Sequence, residues 1–488
     1  MTTLRNKTLK AFSWDVLGKM MNQGSTFVVS IFLARLLNPE DFGLVAMTMA
    51  FISIATVFID MGFSVALIQS DSNTDKTYSS IFIFNIVAGA TLTFLTFFAA
   101  PYIGDFYNSP QVTDLTRWLS LMFLFNSFNR VQNAILNKDL QIKSIVIRSF
   151  SASVISGVLG VMAAFYGLGV YSLVVQTLSY AFINTITLWS TTQWIPSLSF
   201  SYVEVKKLMG FSLYAFFERV ITNIFIRLDV LLLAKLFSPL TVSFYTRAST
   251  LKEFVTKYSS SSIIKVLFPL LSKLKNDQKA YENVYFRMFS IIALLSYALT
   301  GVLYFLGSDI ILLLFGKKWT ATIPIFQILI LSSCNIPLNS LMWNAMMSKG
   351  KARENFYFSN LKKIIGLIPF VIGYYFNDIK WFTVSWVVAS FVDTVVNIFM
   401  LKSQLNLSIR RHFIELFMGF IPLVPSIFLF EWLGLNQLSM KLGYSVIFVL
   451  AFLMFSLLTK NQGLLYIMSM TKDLKEALRR KVMKKNIG

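Results

Sequence analysis

One cysteine and one histidine in 488 residues leave little for redox or metal chemistry. Cys334 has no partner for an internal disulfide, and His412 alone makes no cluster of ligand spacing, so no metal is expected. No G-x-x-x-x-G-K-[ST] loop and no G-x-S-x-G elbow occurs, and with them go the commonest signatures of nucleotide hydrolysis and acyl transfer. No catalytic constellation and no cofactor is expected. Charge is scarce as well: Asp, Glu, Lys and Arg make up 14% of the chain, and only 23 are acidic against 44 basic. So small a charged share does not suit a soluble domain. The N-terminal MTTLRNKTLKAF leads into a stretch interrupted by Asp15, Lys19, Asn22 and Gln23. Without a compact apolar core and a small-residue cleavage site, no signal peptide is expected.

What the chain has in abundance is apolar surface. Hydrophobic residues account for 56%, with 48 Phe and 19 Tyr, and the mean hydropathy is +0.64. Long β-type alternation is missing, so the sequence predicts an all-α polytopic membrane protein. At about 20 apolar residues per crossing, fourteen spans fit near 12–35, 42–68, 78–100, 114–136, 144–166, 168–190, 211–236, 240–270, 284–307, 322–347, 357–376, 381–401, 412–433 and 440–459. The first, fourth, seventh and eighth are polar enough for a hydropathy window to miss. With the N-terminus cytoplasmic, the inner segments hold 29 Lys and Arg and the outer ones six, nine more lying within spans. That asymmetry predicts both termini on the cytoplasmic side. The net charge of +21, which in a soluble protein would suggest nucleic acid, is thus a property of membrane-facing loops, and nucleic acid is not an expected partner. No soluble domain is expected.

The chain repeats itself. ARLLNP at 34–39 matches AKLFSP at 234–239, and NAILNK at 133–138 matches NAMMSK at 344–349, at offsets of 200 and 211. Six spans separate the copies, and an even number preserves direction. Two six-helix lobes related by an axis along the membrane normal are therefore expected, with a substrate site between them. The lobes are drawn at 1–203 and 204–402, followed by two further helices (403–460) and a basic cytoplasmic tail (461–488) whose helical spacing suits anionic lipid.

Charges inside the spans carry the functional argument, since each costs several kcal/mol in hydrocarbon unless it faces protein or water. In the eighth span Arg247, Lys257 and Lys265 share a narrow arc with Ser243, Thr250 and Ser261, a stripe about 27 Å long. In the seventh, Arg219, Asn223 and Arg227 follow i, i+4, i+8 spacing, with Glu218 and Asp229 on the adjoining edge. Lys19 lies on a polar face of the first span with Asp15, Thr26 and Ser30. Basic residues outnumber acidic ones across the seventh and eighth spans, which points to a path for an anionic, phosphate-bearing amphiphile, because guanidinium forks grip phosphate oxygens. A plainer reading pairs Arg227 with Glu218, Arg219 with Asp229 and Glu253 with Lys257. Asp60, Glu218, Asp229, Glu253 and Asp393 are candidates for coupling to an Na+ or H+ gradient, or act as counter-ions to the arginines.

Several short motifs resemble a known family: ARLLNPEDFGLVAM (34–47), DMGFSVALIQ (60–69), FYN (106–108), YTRA (245–248), VLFPLLSK (266–273) and LFGKKW (314–319). They are similar to the Wzx-type polysaccharide exporters, in the colanic acid and teichuronic acid branch of the multidrug/oligosaccharidyl-lipid/polysaccharide superfamily. The resemblance runs from about residue 5 to 460. It implies a flippase of the bacterial cytoplasmic membrane that carries undecaprenyl-diphosphate-linked oligosaccharide repeats from the inner to the outer leaflet by alternating access. Membrane lipids, a polysaccharide polymerase and export machinery would be its partners. The family's cationic cavity corresponds best to Arg219, Arg227, Arg247, Lys257 and Lys265. A multidrug exporter of the sister family would want an acidic cavity instead. An integral-membrane glycan polymerase or ligase shares the substrate, and a scaffold in a glycan assembly complex is a third alternative.

Overall fold

In the computed structural model, residues 2–70, 73–469 and 471 are described, and side chains are described except at 2–13, 15, 16, 211, 214, 215, 255–262, 265 and 266. Among these residues the chain is helical throughout, without a strand.

Nineteen α-helices cover the predicted spans in order. Ten are unbroken over one span each: α1 (Thr2–Leu36), α5 (Asp75–Phe106), α8 (Ile142–Phe165), α9 (Tyr171–Thr191), α10 (Tyr202–Leu236), α11 (Pro239–Lys273), α12 (Gln278–Phe315), α17 (Ile379–Leu405), α18 (Ile409–Leu433) and α19 (Leu438–Leu458). The others are interrupted. The second predicted span is divided into α2 (Pro39–Ala55), α3 (Val57–Asp60) and α4 (Phe63–Gln69). Thr56 returns its hydroxyl to the Ile52 carbonyl at 2.7 Å, and Met61 and Gly62 then turn left-handed at φ 43° and 81°. The fourth is divided into α6 (Pro110–Ser127) and α7 (Arg130–Lys138), the tenth into α13 (Thr322–Ile330) and α14 (Ile336–Ser348), and the eleventh into α15 (Ala352–Ile365) and α16 (Ile368–Phe376). Pro337 and Pro369 open α14 and α16, where a residue without an N–H is tolerated because the first turn's donors have no partner anyway.

Nine helices, broken ones taken whole, are long and apolar enough to cross a membrane among the described residues. The segments below that threshold are α1, α6 with α7, α9, α10 and α11. Four of these are the spans whose internal charge was expected to hide them. The fifth, α9, has no charged residue, but Gln176, Asn184 and a series of Ser and Thr lower its hydropathy.

Contacts divide the chain into two compact units, Met1–Thr246 and Arg247–Gly488. In the first, α1 packs along α8, α8 along α9, α5 along α6, and α10 against α2, α4 and α5. Polar side chains hold the α1–α8 seam: Asn22 donates to Ser149 Oγ at 2.9 Å, and the Ser25 and Ser153 hydroxyls lie 2.9 Å apart. Such bonds join helices where lipid offers no hydrophobic drive for them to associate. The two ARLLNP-like turns lie at the same end of this unit, because Gly43 of α2 sits directly on the Pro239 carbonyl at the start of α11. In the second unit α12 is central. Its buried Tyr281, Tyr285, Phe289, Tyr297 and Phe305 face α14, α17, α18 and α19. The lone histidine, His412, is structural: its Nε2 lies 2.9 Å from the Tyr285 hydroxyl and its Nδ1 2.8 Å from the Ser408 carbonyl.

Candidate functional site

The left-handed turn at Met61–Gly62 places Asp60 at the mouth of α4. Its Oδ1 accepts from the Ser64 N–H at 3.0 Å and from the Ser64 hydroxyl at 2.6 Å. It thus satisfies one of the amides that a helix start leaves unpaired. Its other oxygen meets Arg219 of α10 at 3.5 Å. Asp60 is buried whereas the Arg219 side chain is 41% exposed, so the pair is half in solvent or lipid and contributes modestly to stability. Gly62 permits this approach: a Cβ there would stand 2.4 Å from the Ser212 carbonyl of α10.

A third charge belongs to the cluster. Arg130, the first residue of α7, interacts electrostatically with both Asp60 and Arg219, and its buried Nε has no hydrogen-bond partner in the protein. One carboxylate and two guanidiniums are therefore coupled electrostatically here. Arg227, two turns along α10 from Arg219, is exposed. Deeper in the same unit Arg148 of α8 is 4% exposed. It donates through Nη2 to Asn133 Oδ1 at 3.3 Å, while its Nε and Nη1 find no partner.

The remaining predicted residues distribute as follows. Glu218 is exposed and accepts from Thr222 at 3.3 Å. Asp229 accepts from the Tyr245 hydroxyl at 3.2 Å and from the Val230 N–H at 2.7 Å. Arg219 thus pairs across helices with Asp60 rather than along α10 with Asp229. Lys19 and Glu253 are exposed, and Asn22 and Thr26, from the polar face of α1, pack on α8. Arg247 is held between aromatic rings, its guanidinium 4.8 Å from the ring centres of both Phe315 and Trp319, so the LFGKKW motif supplies a cation–π seat for it. The side chains of Lys257 and Lys265 lie outside the described residues, as does the tail beyond residue 471, so the shared arc with Arg247 is a matter of helical spacing in α11.

In the second unit Asp393 of α17 has a clear partner, Lys362 of α15, at 3.1 Å. Lys362 also donates to Asn397 Oδ1 at 2.8 Å, and Asn397 in turn donates to Asn339 Oδ1 at 3.0 Å. Lys362 and Lys363 occupy the last turn of α15, where the unpaired carbonyls and helix dipole favour cations. This network lines a cavity of about 540 Å³ between α14, α15 and α17.

Sequence reasoning missed Arg130, Arg148 and Lys362. All three were available as basic residues in or beside spans, but Arg148 and Lys362 were counted as cytoplasmic loop charge, and Arg130 had no neighbour in sequence to form a pattern. Among the described residues no group of His, Cys, Asp and Glu has the arrangement of a metal site.

Residues 32–324 match the family described as polysaccharide biosynthesis protein. The chain belongs to that family. Relatives within reach include the lipopolysaccharide biosynthesis protein WzxC of Escherichia coli, 24% identical over 447 residues and covering 89% of each chain. The teichuronic acid biosynthesis protein TuaB of Bacillus subtilis is 24% identical over 372 residues, 75% of this chain and 76% of its own. Among solved structures, the lipid II flippase MurJ in an inward closed conformation superposes with a TM-score of 0.71 at 15% identity, over 90% of this chain and 97% of its own. The fold is thus that of a multi-pass membrane transporter, and its family places the protein in polysaccharide biosynthesis.

Proposed function

We propose that this protein is a flippase for lipid-linked oligosaccharides. It would move polysaccharide repeat units carried on undecaprenyl diphosphate from the inner to the outer leaflet of a bacterial cytoplasmic membrane by alternating access. The observation that carries the reading is the set of cations in the apolar helices of the first unit, where Arg219 pairs with Asp60, Arg130 interacts electrostatically with both, and Arg227 follows on α10. A positive balance within apolar helices calls for an anion, and a diphosphate supplies it with oxygens that match guanidinium forks. Arg219, Arg227, Arg247, Lys257, Lys265 and Lys19 would line the path. Asp60 acts as a helix cap and counter-ion and Asp393 as the partner of Lys362, which leaves Glu218, Asp229 and Glu253 as the candidates for coupling to Na+ or H+. Fourteen crossings, with the repeat-defined lobes 1–203 and 204–402 and both termini cytoplasmic, complete the proposal.

A drug-cation exporter is less well supported, because the charge balance has the wrong sign for such cargo. Cells lacking the protein test the reading. Lipid-linked repeat should accumulate on the inner leaflet. Accumulation on the outer leaflet would instead indicate a missing polymerase and would overturn it.

A further inference from the structure

Asp60 is held unequally on its two sides. Oδ1 accepts two bonds from Ser64, from the N–H at 3.0 Å and from the hydroxyl at 2.6 Å. Oδ2 meets Nη1 of Arg219 at 3.5 Å, where a close contact between guanidinium and carboxylate would be about 2.7–2.9 Å. The carboxylate is buried, whereas the arginine side chain is 41% exposed and open to a ligand. Arg130 interacts electrostatically with both members of the pair, and its buried Nε has no hydrogen-bond partner in the protein. The ion pair is also not needed to seat the turn on α10. Gly62 does that, with a Cβ there standing 2.4 Å from the Ser212 carbonyl. Asp60 is therefore anchored by α4, and its contact with Arg219 is the part that can be exchanged.

We infer that Asp60 is a built-in competitor of the cargo: its Oδ2 occupies Arg219 when the site is empty, and the diphosphate displaces it. The inference deepens the flippase reading, on which the identity of its ligand rests. Phosphate oxygens offer a guanidinium what a carboxylate offers, in bidentate geometry and with more charge. An ion pair this long and this exposed is cheap to break, and the bonds to Ser64 stay in place while Oδ2 is released. Once displaced, the carboxylate remains beside the bound diphosphate as a like charge and weakens its hold. Such weakness suits a carrier, because cargo that binds well enough to enter must also leave. A purely structural tie between α4 and α10 would call for a short pair buried on both sides, which this one is not.

The test measures binding of farnesyl diphosphate to the full chain in lipid nanodiscs by calorimetry. Asp60→Asn removes the charge and keeps an oxygen that accepts from Ser64. It should melt as the wild type does and bind the diphosphate about tenfold more tightly. Asp60→Ser, whose hydroxyl also serves at helix starts, takes its place if Asp60→Asn does not fold. The gain should shrink in an Arg219→Gln background, because the carboxylate acts through that arginine. The inference is overturned if a folded variant without the carboxylate binds the diphosphate no more tightly than the wild type, or if the gain is undiminished without Arg219. Leaflet exchange of a lipid-linked oligosaccharide by the same preparation separates the two claims. Exchange by the wild type with unchanged affinity in Asp60→Asn removes the competitor and leaves the flippase reading intact. Tighter binding by Asp60→Asn in a protein that exchanges no lipid keeps the competitor and removes the flippase reading.

Discussion

At the scale of single residues, Asp60 combines two duties that a sequence cannot separate. Its Oδ1 caps α4 through Ser64 and its Oδ2 faces Arg219. The capping contact is short, whereas the ion pair is long and its arginine is 41% exposed. Stability should therefore follow the cap. Asp60→Ala is expected to cost about 1–2 kcal/mol, the usual worth of a lost N-terminal cap, and Arg219→Gln about 0–1 kcal/mol. Thermal unfolding in detergent checks the order, and a larger loss for Arg219→Gln would show that the ion pair dominates. Transport should show the opposite order, because Arg219 belongs to the cation excess. Arg219→Ala should weaken diphosphate binding by about 1.5–3 kcal/mol, with Arg219→Lys restoring part of it, since charge returns without the bidentate fork. Direct binding of a polyisoprenyl diphosphate to each variant measures this. Arg247 is a different case. Its cation–π seat against Phe315 and Trp319 means that Arg247→Ala removes packing as well as charge, so a transport defect there counts only when the protein is present at its normal level.

At the scale of elements, close helix approaches decide what is tolerated. A Cβ on Gly43 would lie 1.8 Å from the Pro239 carbonyl, and one on Gly62 would lie 2.4 Å from the Ser212 carbonyl at a φ of 81°. Both obstacles are backbone and cannot rotate away. Gly43→Ala and Gly62→Ala should each cost about 1–3 kcal/mol, while Gly210→Ala, with open space around it, should be nearly neutral or stabilising. If Gly43→Ala unfolds at the wild-type temperature, the contact between α2 and α11 is not as described.

The elements were legible in the sequence because apolar length is a strong signal: all fourteen segments coincide with helices or broken helices. The breaks were less legible. Pro337 and Pro369 announce theirs, but the one after Thr56 depends on a side-chain bond to Ile52 and on a left-handed Met61, which no periodicity reveals. Site residues divide in the same way. Helical spacing correctly placed Arg219 and Arg227 on α10, yet the partner of Arg219 is 159 positions away. Pairing along one helix was the natural expectation, and tertiary packing supplied a different acid. Arg148 and Lys362 escaped notice because charges near span ends read as loop charge, and Arg130 because nothing beside it in sequence formed a pattern within its span.

At the scale of the whole molecule, the 29-to-six distribution of basic residues predicts that both termini face the cytoplasm. Reporter fusions after Lys76 and at Gly488 should report the cytoplasm, and one after Asn108 the opposite side. An extracytoplasmic signal at Gly488 would remove the fourteen-crossing layout and the lobes built on it. The central claim concerns cargo. The most direct measurement is leaflet exchange of an oligosaccharide linked to polyisoprenyl diphosphate in vesicles containing the purified protein, read by a membrane-impermeant sugar-binding probe under imposed Na+ or H+ gradients. Vesicles with the wild type should exchange the lipid faster than protein-free vesicles, and Arg219→Ala combined with Arg227→Ala should slow exchange by about tenfold or more. Exchange no faster than in protein-free vesicles under either gradient would contradict the account.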